Sequence, residues 1–365
     1  MKNQVKIIHV ISCIRLGGAE KLVSELVPRL NDSEFSTDAL VITKGFNQSL
    51  LESFQTGKNR FSLLHWQSGY SFGPLNLIRL LKAVRKYDII HVHLFPAFYQ
   101  LFFISFFING KLVYTEHSTY NRRRQFQLTR WLDKVIYRRY NMVVSCSQAV
   151  HAALVNYLNN ATSIKLIPNG INVEVFENAI DYSKDIFFGK EDVIIIQVSN
   201  FREPKDQYTL IKSMIYLPLK YKLLLVGEGE KKLELEKFVS EFSLTDRVLF
   251  LGMRNDIPRL LKTSDIVVLS SKYEGLSLAA LEGMASGRPF IASKAPGLTE
   301  LVNGYGLLFE IGDSKALSLL IKDTVENKQS YSLISQLCVQ RSKQYSILSM
   351  TNSHKQLYRN LTSSC

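Results

Sequence analysis

Short apolar runs rich in Val and Ile recur along this chain at helix-length intervals, and no other feature restricts the fold as much. In the first half they fall at residues 5–12, 38–42, 61–66, 88–93, 111–116, 142–147 and 164–167. Amphipathic stretches at 19–30, 75–87, 130–140 and 149–158 separate most of them. Strands divided by helices predict βαβ units, a mostly parallel sheet and right-handed crossovers. The series starts afresh at 192–199 and continues at 221–226, 247–251, 265–269, 289–293 and 306–309. Between the two series lie residues 169–191, which overlap Pro168-Asn169-Gly170 at their start and then turn polar and acidic, a linker composition. The expected fold is α/β, with two doubly wound, Rossmann-like parallel-sheet domains facing across a cleft. Its predicted parts are an N-terminal domain at 1–170, a linker at 171–190 and a second domain at 191–344. A helical tail from about Tyr345 follows no strand. Doubly wound sheets bind ligands at the carboxyl ends of their strands.

At 365 residues the chain has room for two cores, and 46% hydrophobic with 21% charged residues suits a globular protein. The net charge of +13 is unevenly held. Residues 1–175 carry 21 Lys and Arg against 10 Asp and Glu, whereas 176–365 carry 24 against 22. A basic first half implies an anionic partner: nucleic acid, lipid headgroups or a phosphorylated acceptor. Cys13, Cys146, Cys338 and Cys365 form no CxxC pair. That spacing argues against zinc and against a secreted disulfide framework, and predicts a reducing, cytoplasmic setting. The apolar run at 5–11 contains Lys6 and His9 and reads as a first strand, not a signal peptide. The aromatic run at 94–108 is shorter than the roughly 20 residues that span a bilayer, so a buried crossover helix is expected.

The segment 270–289, SSKYEGLSLAALEGMASGRP, concentrates the chemistry. Glu274 belongs to a loop after a strand, and Glu282 to the short helix that Ser277 caps. The amides of Gly275, Leu276 and Ser277 precede that helix, where its dipole favours an anion. Two carboxylates for hydroxyls and amides for a diphosphate describe a nucleotide-sugar pocket. Any α/β protein has strand–loop–helix turns, so the remaining motifs decide. Gly17-Gly18 follows the first strand, where glycine permits close backbone approach, although GxGxxG is absent. In Asn200-Phe-Arg-Glu-Pro-Lys-Asp206, Arg202 and Lys205 precede a helix and can neutralise a diphosphate. His117 ends the fifth predicted strand, within reach of a sugar hydroxyl or phosphate. His91 and His93 end the fourth, with no third metal ligand at suitable spacing, so a structural role is expected. Arg122-Arg123-Arg124, Arg130, Lys134, Arg138 and Arg139, interleaved with Trp131, Tyr137 and Tyr140, suit an anionic bilayer. No nucleic-acid recognition signature accompanies them.

Taken together, these motifs resemble the retaining GT-B glycosyltransferases of the large bacterial polysaccharide and glycolipid family. The resemblance is strongest at 198–302, through Glu274 and Glu282, KDQYTLI, LLLVGEGE, LGMRNDIPRLL and GRPFIASKAPGLTELV. GGAEK, EHS and IPNGIN carry it more loosely through the first half. It implies transfer of a hexosyl unit from a nucleoside-diphosphate sugar, expected to be a UDP-sugar, to a saccharide or lipid-linked acceptor with retention. Glu282 then holds the ribose, Glu274 the transferred sugar, and Gly275, Leu276 and Ser277 the distal phosphate. Lys205 matches the diphosphate lysine, Arg254 and Asn255 lie in the base loop, and His117 with Gly17-Gly18 meets sugar and acceptor. The tail from Tyr345 is expected to pack on the first domain. Ser199-Asn200 replaces the family's Gly-Arg, so Arg202 is expected to supply the missing guanidinium. No Asp-x-Asp motif occurs, and no metal cofactor is expected. The expected localisation is cytoplasmic, with peripheral contact to anionic membrane. A nucleotide-sugar epimerase and a non-catalytic adaptor are the alternatives.

Overall fold

The structure, a computed structural model, describes residues 4–12, 18–42, 73–118, 127–159 and 162–363. Two units emerge: Met1–Gly170 with Ile347–Cys365, and Ile171–Ser346. The strand expected at 61–66, Gly17 and Arg122-Arg123-Arg124 lie outside the described residues.

The first unit is built on β1 (Val5–Ile11), β2 (Phe35–Val41), β3 (Ile89–His93), β4 (Lys111–Glu116), β5 (Met142–Ser145) and β6 (Ile164–Leu166). All pairings are parallel, in the order β2-β1-β3-β4-β5-β6. The chain goes to one side of β1 and returns on the other, so β1 and β3 flank the switch point. Helices cover the sheet, which is why its strands read as near-continuous apolar runs. β3 is buried at all five positions, two of them histidines.

Two expectations about this unit are corrected. Residues 94–108 form the helix Ala97–Ile104 and a tight turn, Ser105–Phe107. Phe98, Leu101 and Ile104 enter the core, but Phe95, Phe103, Phe106 and Phe107 are at least half exposed. A uniformly apolar stretch on a sheet face still has only one inner side. Tyr137 and Tyr140, expected on the basic surface, are instead buried in the same core, whereas Trp131 is exposed.

The tail forms the helix Ile347–Ser363. Lys355 meets Asp32 at 2.7 Å and Arg359 meets Glu34 at 2.7 Å. Such exposed pairs contribute at most about 1 kcal/mol. Burial of Met350, Leu357 and Tyr358, at about 1.5–3 kcal/mol for a large apolar side chain, outweighs them.

The second unit contains β7 (Val193–Val198), β8 (Tyr221–Val226), β9 (Val248–Gly252), β10 (Ile266–Leu269), β11 (Phe290–Ser293) and β12 (Leu307–Phe309). Its order is β12-β11-β10-β7-β8-β9, again parallel. Residues 171–190, of linker composition, place Ile171, Val173 and Phe176 in this unit's core.

Candidate active site

In the second unit, β7 and β10 are neighbours whose chains leave toward opposite sides, so the loops that follow them border a crevice. The loop after β7 carries Asn200, Arg202 and Lys205, and the loop after β10 carries Glu274. The two loops are tied together. Lys272 N–H donates to the Pro204 carbonyl at 2.8 Å, and the Ser270 hydroxyl donates to the Asp206 carbonyl at 2.8 Å. Gln197, at the end of β7, donates to the Lys205 carbonyl, and its Oε1 lies 2.9 Å from Ser270 Oγ. Asp206 turns the chain with φ 45°, and its carboxylate accepts from Thr209 at 2.6 Å. This scaffold brings Lys205 Nζ to 2.5 Å from Glu274 Oε1, which also accepts from the Ser271 hydroxyl at 2.7 Å. Glu274 is 9% exposed and Lys205 22%. Sixty-nine residues of chain separate the two partners.

Glycines let neighbouring loops support this pair. A Cβ at Gly297, whose φ is 82°, would meet the Glu274 carbonyl at 2.4 Å and that of Gly275 at 2.5 Å. The loop can therefore lie directly against them, and Glu274 N–H donates to the Pro296 carbonyl at 3.0 Å. Gly229 does the same behind the loop after β7, where a Cβ would reach the Phe201 carbonyl at 2.3 Å. Sequence reasoning placed both glycines inside longer motifs without a role, because close approach of distant backbone leaves no local signal.

The Ser277 side chain caps the helix Leu278–Ala285 by accepting from Ala280 N–H at 3.3 Å. Gly275 and Leu276 are half-buried at its entry, and Glu282, in its second turn, is 5% exposed. Gly283 presses the helix onto Val267 and Phe290. Arg254 donates to both carboxylate oxygens of Asp256, which also accepts from Tyr182. The Arg254 hydrogen bond, with burial opposing, holds the Asp256 carboxyl down to about 2. Asn255 beside them is exposed. Asn200 is exposed, its carbonyl accepting from Gln207. Arg202 is exposed and makes no ion pair among the described residues.

The first unit holds a cluster the sequence reading did not anticipate. The expectation of no third ligand beside His91 and His93 is corrected: His9 lies opposite His91 in the β1–β3 register. Ring nitrogens of His9, His91 and His93 come within 4.8 Å of one another. All six of those nitrogens already take hydrogen bonds. His9 Nδ1 and His93 Nε2 are 2.9 Å apart, and His93 Nδ1 lies 3.3 Å from His117 Nε2. Tyr358 Oη lies 2.6 Å from His91 Nδ1 and 3.2 Å from His9 Nε2, and Thr115 Oγ1 is 2.6 Å from His91 Nε2. Burial pushes the His9 and His354 imidazoles down to about 3 and His117 to about 4, and drives His91 and His93 far below their ordinary value. Among the described residues, the buried His117 Nδ1 and His354 Nδ1 have no hydrogen-bond partner. Gly18 opens the helix Gly18–Leu30 and is exposed.

Two doubly wound parallel-sheet units are the architecture of a GT-B glycosyltransferase. The chain belongs to that class: residues 16–175 match the Glycosyltransferase Family 4 model and residues 179–337 the Glycosyl transferases group 1 model. It is 28% identical to a Bacillus subtilis protein named as a glycosyltransferase, EpsF, over 87% of this chain and 86% of that one. An Escherichia coli UDP-Gal:alpha-D-GlcNAc-diphosphoundecaprenol alpha-1,3-galactosyltransferase is 33% identical over 41% of this chain and 42% of its own. Among solved structures, Anabaena HepE in complex with UDP-glucose matches with a TM-score of 0.86 and 24% identity, covering 99% of this chain and 100% of that one.

Proposed function

We propose that the protein transfers a hexosyl unit from a UDP-sugar to a saccharide or lipid-linked acceptor, with retention and without a metal ion. The observation that carries this reading is the Lys205–Glu274 pair at the switch point, with Arg202, which makes no ion pair among the described residues, on the same loop as Lys205. As the glycosidic bond breaks, positive charge grows on the sugar ring and negative charge on the departing diphosphate. Lys205, Arg202 and the amides of Gly275, Leu276 and Ser277 stabilise the diphosphate, a role a divalent cation fills elsewhere. Glu274 then orients both the lysine and the transferred sugar, Glu282 holds the ribose, and Arg254 and Asn255 border the base. His117 and Gly18 meet the sugar and acceptor. The departing phosphate oxygen takes the acceptor proton on the attacked face. HepE in complex with UDP-glucose and the E. coli enzyme named for UDP-Gal and a diphosphoundecaprenol-linked acceptor support this choice of substrates.

Thermal shift with a panel of nucleotide sugars tests the donor. A UDP-sugar at about 100 times its Kd should stabilise the protein by about 2.7 kcal/mol. Indifference to every UDP-sugar, or transfer abolished by EDTA, would remove this reading.

Membrane contact is part of the same proposal. Among the described residues no helix is long and apolar enough to cross a membrane. The exposed Phe103, Phe106 and Phe107 adjoin a basic helix carrying exposed Trp131, Arg130 and Arg138, with the Arg139 guanidinium 5.3 Å from the Phe106 ring centroid. Aromatic side chains beside cations favour an anionic interface. Sedimentation with anionic vesicles should carry the protein down at low salt, and Phe106→Ser with Phe107→Ser should release it. Equal binding to neutral vesicles would contradict the electrostatic part.

A further inference from the structure

The histidine cluster is a single hydrogen-bonded chain: Thr115, His91, Tyr358, His9, His93 and His117, in that order. A neutral imidazole has one N–H and one bare nitrogen, and a tyrosine hydroxyl has one proton. Imidazoles joined nitrogen to nitrogen must therefore all donate in the same direction. If the Thr115 hydroxyl donates to His91 Nε2, then His91 donates from Nδ1 to Tyr358, and Tyr358 donates to His9 Nε2. His9 then donates from Nδ1 to His93 Nε2, and His93 from Nδ1 to His117 Nε2. His117 is left with its proton on Nδ1.

Both alternatives strand a hydroxyl proton in the interior. Reversed donation makes Thr115 an acceptor, and its own O–H, on a residue 4% exposed, then has no acceptor among the described residues. A Tyr358 oxygen that accepts from both neighbours strands its own proton on a fully buried residue. An unmet buried donor is costly. The forward direction leaves one unmet group, the N–H of the buried His117 Nδ1, whereas each alternative leaves a stranded hydroxyl proton and a bare, unmet His117 Nδ1 as well.

We propose that Thr115, His91, Tyr358, His9 and His93 are positioning residues that hold His117 as the Nδ1–H tautomer, so that it meets the substrate as a hydrogen-bond donor to an oxygen. This rests on the proposed placement of His117 at the sugar and acceptor. The C-terminal helix thereby reaches the reaction through Tyr358 and not by touching substrate.

The test is 15N histidine NMR of the full chain at pH 7.5, paired with turnover. His9, His91, His93 and His117 should all show a protonated Nδ1 and a bare Nε2. Tyr358→Phe should mix the tautomers of His117 and lower kcat about 10-fold with little change in KM. Thr115→Val, which keeps the volume, should mix them as well and guards against a folding defect in the first variant. A protonated Nε2 at His117 in the wild type would overturn the proposal. So would one equivalent of zinc bound at His9, His91 and His93, or unchanged kcat in a Tyr358→Phe protein with mixed tautomers. Wild-type turnover in His117→Ala with unchanged spectra of the other histidines would overturn the placement of His117 instead.

Discussion

Lys205→Ala should lower sugar transfer by about 10²–10³-fold, chiefly in kcat, because it removes a preorganised charge from the place where negative charge develops. Lys205 approaches Glu274 at 2.5 Å, and the loop holding it is bound to the β10 loop by backbone and hydroxyl hydrogen bonds. A cation held this way needs little reorganisation when the diphosphate departs. The variant also leaves Glu274, 9% exposed, with Ser271 as its remaining hydrogen-bond donor among those described above. Loss of one partner of a buried pair destabilises the fold, so a melting curve must accompany the kinetics. Lys205→Arg restores the charge on a bulkier, planar head in place of a compact ammonium and should recover only part of the rate. Wild-type turnover in a folded Lys205→Ala protein would sink the diphosphate assignment.

Mild acid should unfold the first unit before the second. A free histidine titrates near 6.5. In the folded chain, burial, with nearby histidines adding to it at His9, His91, His93 and His354, holds the proton off until about pH 3 for His9 and His354 and even more strongly for His91 and His93. Between those values the unfolded chain binds more protons than the folded one. The stabilisation is therefore complete above pH 6.5 and is lost as the pH falls toward 3. Four such groups together cost about 5 kcal/mol between pH 7.5 and 5.5, comparable with the whole stability of a modest domain. Every histidine of the chain lies in the first unit, and so do both tryptophans, Trp66 and Trp131. Tryptophan fluorescence thus reports the acid-sensitive unit. Its urea midpoint should fall steeply from pH 7.5 to 5.5, above the range in which most carboxylates titrate. A midpoint unchanged across that window would show that the histidines are not held neutral by the core.

The strand–helix alternation was legible from residue order because each element buries a side that its own periodicity specifies. Ser277 as a cap was legible for a related reason, since a cap bonds an amide three residues away. The aromatic run at 94–108 was not, because uniform hydrophobicity does not say which rings find a neighbour. Phe98 and Phe107 look alike in sequence, yet one is fully buried and the other 72% exposed.

Residue order alone determined the two parallel sheets, the glutamates of the 270–289 segment and the cations of the 200–206 loop, since these depend on spacings of a few residues. Tertiary structure alone decided that Lys205 pairs with Glu274, that Gly297 seats its loop against that glutamate, and that His9 and Tyr358 complete a chain begun at His91. Each of these depends on strand order and register, which bring together residues that the chain itself holds far apart.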